Sequence, residues 1–328
     1  MQTSQLGRLG EVSALTLGGG GIGRVWGYTT RAEAVATVHA AVDGGIDLLD
    51  LAPGYGKGEA EAVVGEAFAG ALPDGVRVTT KCQLGSPPAG EVEPIIRRRL
   101  ERSLATLKTD RVDVLFLHSN IVPDDYRFPE AALQDRFATP WRLYRDEVIP
   151  TFERLRAEGR IGDWGITGVG LPATIRAALG SEPKPAVVQC IANCLDSPGD
   201  IRRYPEPPEP RAIIATAVEQ GVGVMGIRAV QAGALTAGFD RDVQPGQDLT
   251  DFQRAAGFRA LARAWDTSAA RLAHRYALSI AGVDTVVLGV KNREELDECL
   301  AAEQEGVLEA EQIREIDVAC GRTGSPAP

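Results

Sequence analysis

Eight short apolar, β-branched runs, separated by amphipathic stretches, predict an α/β chain folded as a (β/α)8 TIM barrel. Two observations carry the prediction. The runs read as buried strands, which a parallel sheet with helices on its outer face requires. They recur eight times along a 328-residue chain without any Pro/Gly/Ser linker between composition classes, so residues 1–328 are expected to form one domain. An N-terminal β-hairpin and extra C-terminal helices complete the expected architecture.

In chain order, LGRLGEV (6–12) places glycines at turn spacing and predicts a small hairpin that plugs the barrel floor. The eight strands are expected over 13–18, 46–50, 76–81, 112–118, 161–167, 186–190, 221–227 and 284–289. Helical patterns fall over 31–43, 58–69, 91–107, 147–158, 171–179, 209–219 and 268–280, with two more at 293–304 and 309–319. Thr29 or Thr30 supplies a hydroxyl cap for the first of them. Three long connections, 119–146, 192–208 and 228–252, leave the C-terminal ends of strands, where barrel active sites form. The tail after residue 320, GRTGSPAP, is too short for a large lid.

The run LGGGGIGR (17–24) sets Gly18, Gly20 and Gly23 at the G-x-G-x-x-G spacing of a dinucleotide-binding turn. That fingerprint needs a helix opening at its last glycine. Here Arg24-Val25-Trp26-Gly27-Tyr28 intervene before the next helix start, so the stretch reads as a strand ending in a flexible loop.

Composition excludes several classes. A net charge of −10 disfavours nucleic acid as a partner. No apolar run reaches bilayer length, and the N-terminus lacks a basic-then-apolar leader. Five cysteines, an odd number without C-x-x-C, suit a reduced cytoplasm and argue against a disulfide framework or a metal site. The expected partner is a small molecule, and no feature fixes an oligomeric state.

The second, third and fourth runs each end on an ionisable residue: Asp50, Lys81 and His118. Alternation places Leu48 with Asp50, and Phe116 with His118, on one face. If that face is the interior, a carboxylate, an ammonium and an imidazole converge at the barrel mouth. Asp50 then partners the buried charge of Lys81, and Tyr55 leans over them from the loop. His39 and His274 sit inside helical patterns and read as structural.

The segments IDLLDLAPGYGKGEAEAVVGEAF, VTTKCQ and VDVLFLHS, carrying these four residues, resemble the aldo-keto reductase family. The resemblance continues through LRAEGRIGDWGITG, VVQC, GVGVMGIRAVQAGALTAG and VVLGVKNREELDECLAA, nearly the whole chain in the right order. It implies NAD(P)H-dependent reduction of an aldehyde or ketone to an alcohol, or the reverse. Tyr55 would be the general acid, its pKa lowered by Lys81. Asp50 would keep Lys81 charged, and His118 would orient the carbonyl.

It also implies cofactor contacts at Gly20 and Gly21 beside the nicotinamide, and at Asp50, Thr167, Gln189 and Ile227. Arg228 and Val230 would follow along the pyrophosphate, then Gly289, Lys291, Arg293 and Glu298 around the adenosine. Lys291 and Arg293 favour NADP over NAD, and Glu295 argues the other way. Trp26, Tyr55, His118 and Trp141 are the expected substrate contacts, in an apolar-walled pocket suited to a sugar ring or an aromatic aldehyde. Two alternatives stay open: a non-catalytic nucleotide-sensing barrel, and a lyase in which Lys81 forms a Schiff base.

Overall fold

The computed structural model describes residues 1–322; the expectation for the tail falls largely outside them. The hairpin forms from β1 (Thr3–Gln5) and β2 (Glu11–Ser13), paired antiparallel. Leu6 and Val12 project from it into the lower barrel, where they pack on Leu48, Val114, Phe116 and Met225. The floor is therefore closed by side chains.

The barrel strands are β3 (Leu15–Gly18), β4 (Leu48–Asp50), β5 (Arg77–Cys82) and β6 (Val112–Leu117). A two-stranded parallel pair, β7 (Asn120–Val122) and β8 (Ala138–Pro140), then forms within the connection after β6. The barrel resumes with β9 (Ile161–Thr167), β10 (Val187–Ile191), β11 (Gly223–Ile227) and β12 (Thr285–Leu288). The order is β3-β4-β5-β6-β9-β10-β11-β12, all parallel, and β12 closes on β3. Each expected strand lies where its apolar run does. Most of the core lies between the strands and the outer ring of helices, with Trp164, Phe152 and Phe258 fully buried.

The helices follow the predicted pattern, from Arg31–Asp43 to Ala310–Ala319. The first is capped by Thr30, whose Oγ1 accepts from Glu33 N at 3.1 Å. Arg293–Gln304 closes the eighth repeat, and Ala310–Ala319 is additional. Among the described residues, two helices of eight or more residues lack a sequence counterpart: Gln247–Arg254 and Ala256–Ala264, both in the excursion after β11. The first carries few apolar residues, and its polar face is what it buries, through Asp248 and Asp251. No described helix is long and apolar enough to cross a membrane.

The glycine run differs from expectation. Gly19–Ile22 forms one turn of helix directly after β3, and all four residues are buried. A Cβ on Gly21 would collide with the Val290 carbonyl. The glycines permit close backbone approach between two neighbouring repeats, and the segment is packed where a flexible loop was expected.

Candidate active site

Asp50 ends β4, Lys81 lies near the end of β5, and His118 follows β6. The β4–β5 register pairs Asp50 with Thr79, and alternation turns Thr79 and Lys81 to the same interior face. Lys81 Nζ donates to both Asp50 oxygens and to Leu51 O, each at 2.8 Å. Asp50 Oδ1 also accepts from Thr79 Oγ1 and Gln189 Nε2, both at 2.7 Å. The Lys81 and Asp50 side chains are 0% and 2% exposed. A buried charge survives only when paired and saturated with hydrogen bonds, and this pair meets both conditions.

Tyr55 starts a short 3-10 turn (Tyr55–Gly58) above the pair. Lys81 Nζ lies 4.8 Å from its ring centroid, and the His118 ring stands edge-on to it at 6.1 Å. Burial raises the Tyr55 pKa and Lys81 pulls against it, with a net rise. The expected net lowering is therefore absent: desolvation outweighs the ammonium. Burial alone would lower the Lys81 pKa, but Asp50 and Tyr55 outweigh it and the ammonium is stabilised. Burial, with Lys81 and Arg203 adding to it, drives His118 down to about 3. At neutral pH the site holds a protonated phenol, a charged lysine and a neutral imidazole.

Tyr55, His118 and Asp50 face a cleft of about 870 Å³ across the barrel mouth. Of the sequence-predicted contacts, Gly20, Trp26, Asp50, Tyr55, His118, Thr167, Gln189, Ile227, Arg228, Val230, Gly289, Lys291 and Glu298 line it. The Trp26 indole lies over the glycine turn, so close that a Cβ on Gly20 would strike it. Arg228 and Arg241 approach the same ring, at 5.7 and 5.5 Å.

Several predicted contacts are placed otherwise. Lys81 lies beneath the cleft, behind Asp50 and Tyr55. Gly21 is packed on Val290 and does not face the opening. Trp141 turns away and packs on Tyr144, centroids 5.8 Å apart. Arg293 points off the cleft to Glu33, with Nη2 3.0 Å from the carboxylate. Arg228 lines the cleft, but its guanidinium is held by Gln231 and Asp248, both at 2.7 Å. Lys291 is shared between Asp240, at 2.5 Å, and Glu295. Glu298 accepts from the Ser268 hydroxyl.

Sequence reasoning missed Arg136, Arg203, Asp240, Arg241, Arg259 and Arg263, which also line the cleft. Arg259 and Arg263 are four apart on Ala256–Ala264, a spacing that could have marked one basic helix face. Arg136 sits in the single helical turn Gln134–Phe137 and Arg203, Asp240 and Arg241 in irregular loops, none with such a signal. All five cysteines are free and buried.

A sequence profile described as the Aldo/keto reductase family matches residues 14–320. The chain belongs to the aldo/keto reductase family. Among curated relatives of this reductase-family chain, an L-galactose dehydrogenase from Arabidopsis thaliana is 27% identical, over 94% of this chain and 93% of its own. Among solved structures, the holo form of an aldo-keto reductase from Bacillus halodurans superposes with a TM-score of 0.72. It is 23% identical and aligned over 97% of this chain and 96% of its own. An aldo/keto reductase from Klebsiella pneumoniae in complex with NADP and acetate gives a TM-score of 0.67. Its identity is 23%, over 99% and 97% of the two chains. At that identity the structural likeness speaks for the barrel.

Proposed function

We propose that this chain reduces an aldehyde or ketone to an alcohol, or runs the reverse oxidation, with a nicotinamide dinucleotide and with Tyr55 as proton donor. The observation that carries the reading is the buried Lys81–Asp50 pair set against the Tyr55 ring at the floor of a long cleft. The cleft fits the cofactor class. Its volume lies within the range of about 300–1,000 Å³ usual for ligand pockets, and the Gly20–Trp26 contact leaves no room for a side chain at the glycine turn. Gln189 spends its amide nitrogen on Asp50, so its carbonyl oxygen is left for a ligand amide.

When bound, the nicotinamide supplies the hydride. The protein's part is the proton and its placement. Tyr55 is protonated at neutral pH because burial raises its pKa. As negative charge develops on the carbonyl oxygen, the phenol gives up its proton, and the Lys81 ammonium stabilises the phenolate left behind. Asp50 keeps Lys81 charged and fixes its position. A neutral His118 still carries one N–H to donate to the carbonyl oxygen. The same Asp50 contact disfavours a Schiff-base lyase, since a protonated lysine has no lone pair with which to attack a carbonyl.

The preferred nucleotide in this proposal is NADP(H). Lys291, Arg259 and Arg263 also line the cleft, and cations of this kind suit an extra phosphate. The Klebsiella neighbour's complex with NADP supports the choice. The test follows nicotinamide absorbance with NADPH or NADH across aldoses, aromatic aldehydes and small ketoaldehydes. Carbonyl-dependent oxidation of NADPH, faster than of NADH, is the expected result. Tight nucleotide binding without turnover of any carbonyl would favour the sensor reading.

A further inference from the structure

The substrate side of the cleft carries positive charge that the protein does not neutralise. Arg203 comes from the connection after β10 and Arg136 from the one after β6, and both line the cleft with Tyr55 and His118. Their guanidiniums rest against one ring. Arg203 Cζ lies 3.7 Å and Arg136 Cζ 4.8 Å from the Phe137 centroid. Arg203 donates from Nη1 to Ile201 O at 2.7 Å, which leaves most of its five N–H donors for another acceptor.

Among the described residues neither arginine forms an ion pair; Glu130 acts on Arg203 only at longer range. Two other cations that line the cleft are matched, Arg228 by Asp248 and Lys291 by Asp240 and Glu295, while Arg259 and Arg263 on their own helix are not, among the described residues. Carboxylates are not scarce in a chain of net charge −10. A half-buried guanidinium without a counter-charge is costly. Burial and the neighbouring Arg136 lower the Arg203 pKa, and a distant Glu130 does not make up the loss. Its field also reaches His118, which lines the same cleft.

We propose that Arg203 and Arg136 receive an anionic group of the substrate, so that the preferred substrate is an aldehyde or ketone bearing a carboxylate. The planar guanidinium fork matches a carboxylate in a two-bond geometry. Phe137, Val169, Ile201 and Ile227 supply apolar wall around it, which strengthens the charge–charge contact. The carboxylate is a handle and is chemically unchanged, while the reduction takes place at the carbonyl carbon. This rests on the carbonyl-reductase reading above. It also revises the expected apolar-walled pocket, because two of its walls are cationic.

The test compares para-carboxybenzaldehyde with its neutral isostere para-carbamoylbenzaldehyde. The wild type is expected to favour the carboxylate by about tenfold or more in kcat/KM, the size of a charge-assisted contact. In Arg203→Gln that ratio falls toward one, and Arg203→Lys keeps part of it. In parallel, benzoate and benzamide are titrated into the NADP-loaded protein, with benzoate expected to bind the tighter and to lose its advantage in Arg203→Gln. Equal kcat/KM for the two aldehydes, or a preference that survives both Arg203→Gln and Arg136→Gln, overturns the inference and leaves the reductase reading standing. Arginine-dependent benzoate binding without turnover of either aldehyde supports the anion site and overturns the reductase reading.

Discussion

Two lysines beside the same cleft are held in different ways. Lys81 is fully buried beneath it, and its carboxylate partner, Asp50, sits on the adjacent strand. Lys291 is 12% exposed and is divided between Asp240, from a loop, and Glu295, four residues on in the helix Arg293–Gln304 that Lys291 precedes. The first pair is set by a hydrogen-bonded ladder whose register leaves no choice of partner. The second depends on how an excursion of more than fifty residues folds back between β11 and β12. In the proposed function the chemistry therefore rests on the rigid pair, and nucleotide selectivity on the adaptable one.

The largest effect is expected from breaking the rigid pair. Lys81→Met leaves Asp50 buried and unpaired, at a cost of about 3–5 kcal/mol, and removes the charge that stabilises the phenolate, about 100-fold in turnover. Denaturant titration and steady-state kinetics read the two losses separately. The raised pKa of Lys81 also sets a sign. Its contribution stands in full below lysine's ordinary pKa and is lost as pH climbs through the folded value. Wild-type stability should thus decline under strongly alkaline conditions in a way the Met variant does not share.

Gly21→Val comes next. Its side chain would drive into the Val290 carbonyl, and overpacking of this kind costs about 1–3 kcal/mol, visible as a lowered denaturation midpoint. At the adaptable pair effects should be smaller. Glu295→Gln releases Lys291 from one of its two carboxylates, and NADPH should bind about threefold tighter with NADH unaffected, as partly exposed pairs allow. Tryptophan quenching by each nucleotide would measure this. Arg293→Ala should leave both affinities within about twofold, because its guanidinium is turned to Glu33. The smallest effect is a flat line. With His118 held near 3, reductive kcat/KM should show no inflection around the ordinary histidine pKa of about 6.5.

The same contrast explains what could be read from sequence. The strands were legible because each is a short apolar run with a turn at both ends. Asp50, Lys81 and His118 were legible because each breaks such a run at its last position. The Trp26 contact and the Asp240–Lys291 bridge were not, because they join loops whose paths no periodicity encodes; Trp141 meets Tyr144 three residues on, in helical turns that the sequence reading assigned to a loop. The glycine run misled for a related reason. Its residues serve close approach to Val290, a neighbour some 270 positions away, and local pattern carries no trace of that distance. Arg203 was hidden by its proline-rich surroundings, and its lack of a counter-charge appears only once the fold brings it to the cleft wall beside Phe137.

The central claim is that a phenol, seated on a buried ion pair, delivers the proton, and Tyr55→Phe tests it most directly. The substitution keeps the ring and removes one oxygen. With folding and NADPH affinity measured alongside, turnover should drop by at least about 100-fold while nucleotide affinity stays within about threefold. A folded Phe variant that binds nucleotide and reduces its substrate at close to the wild-type rate would contradict the account.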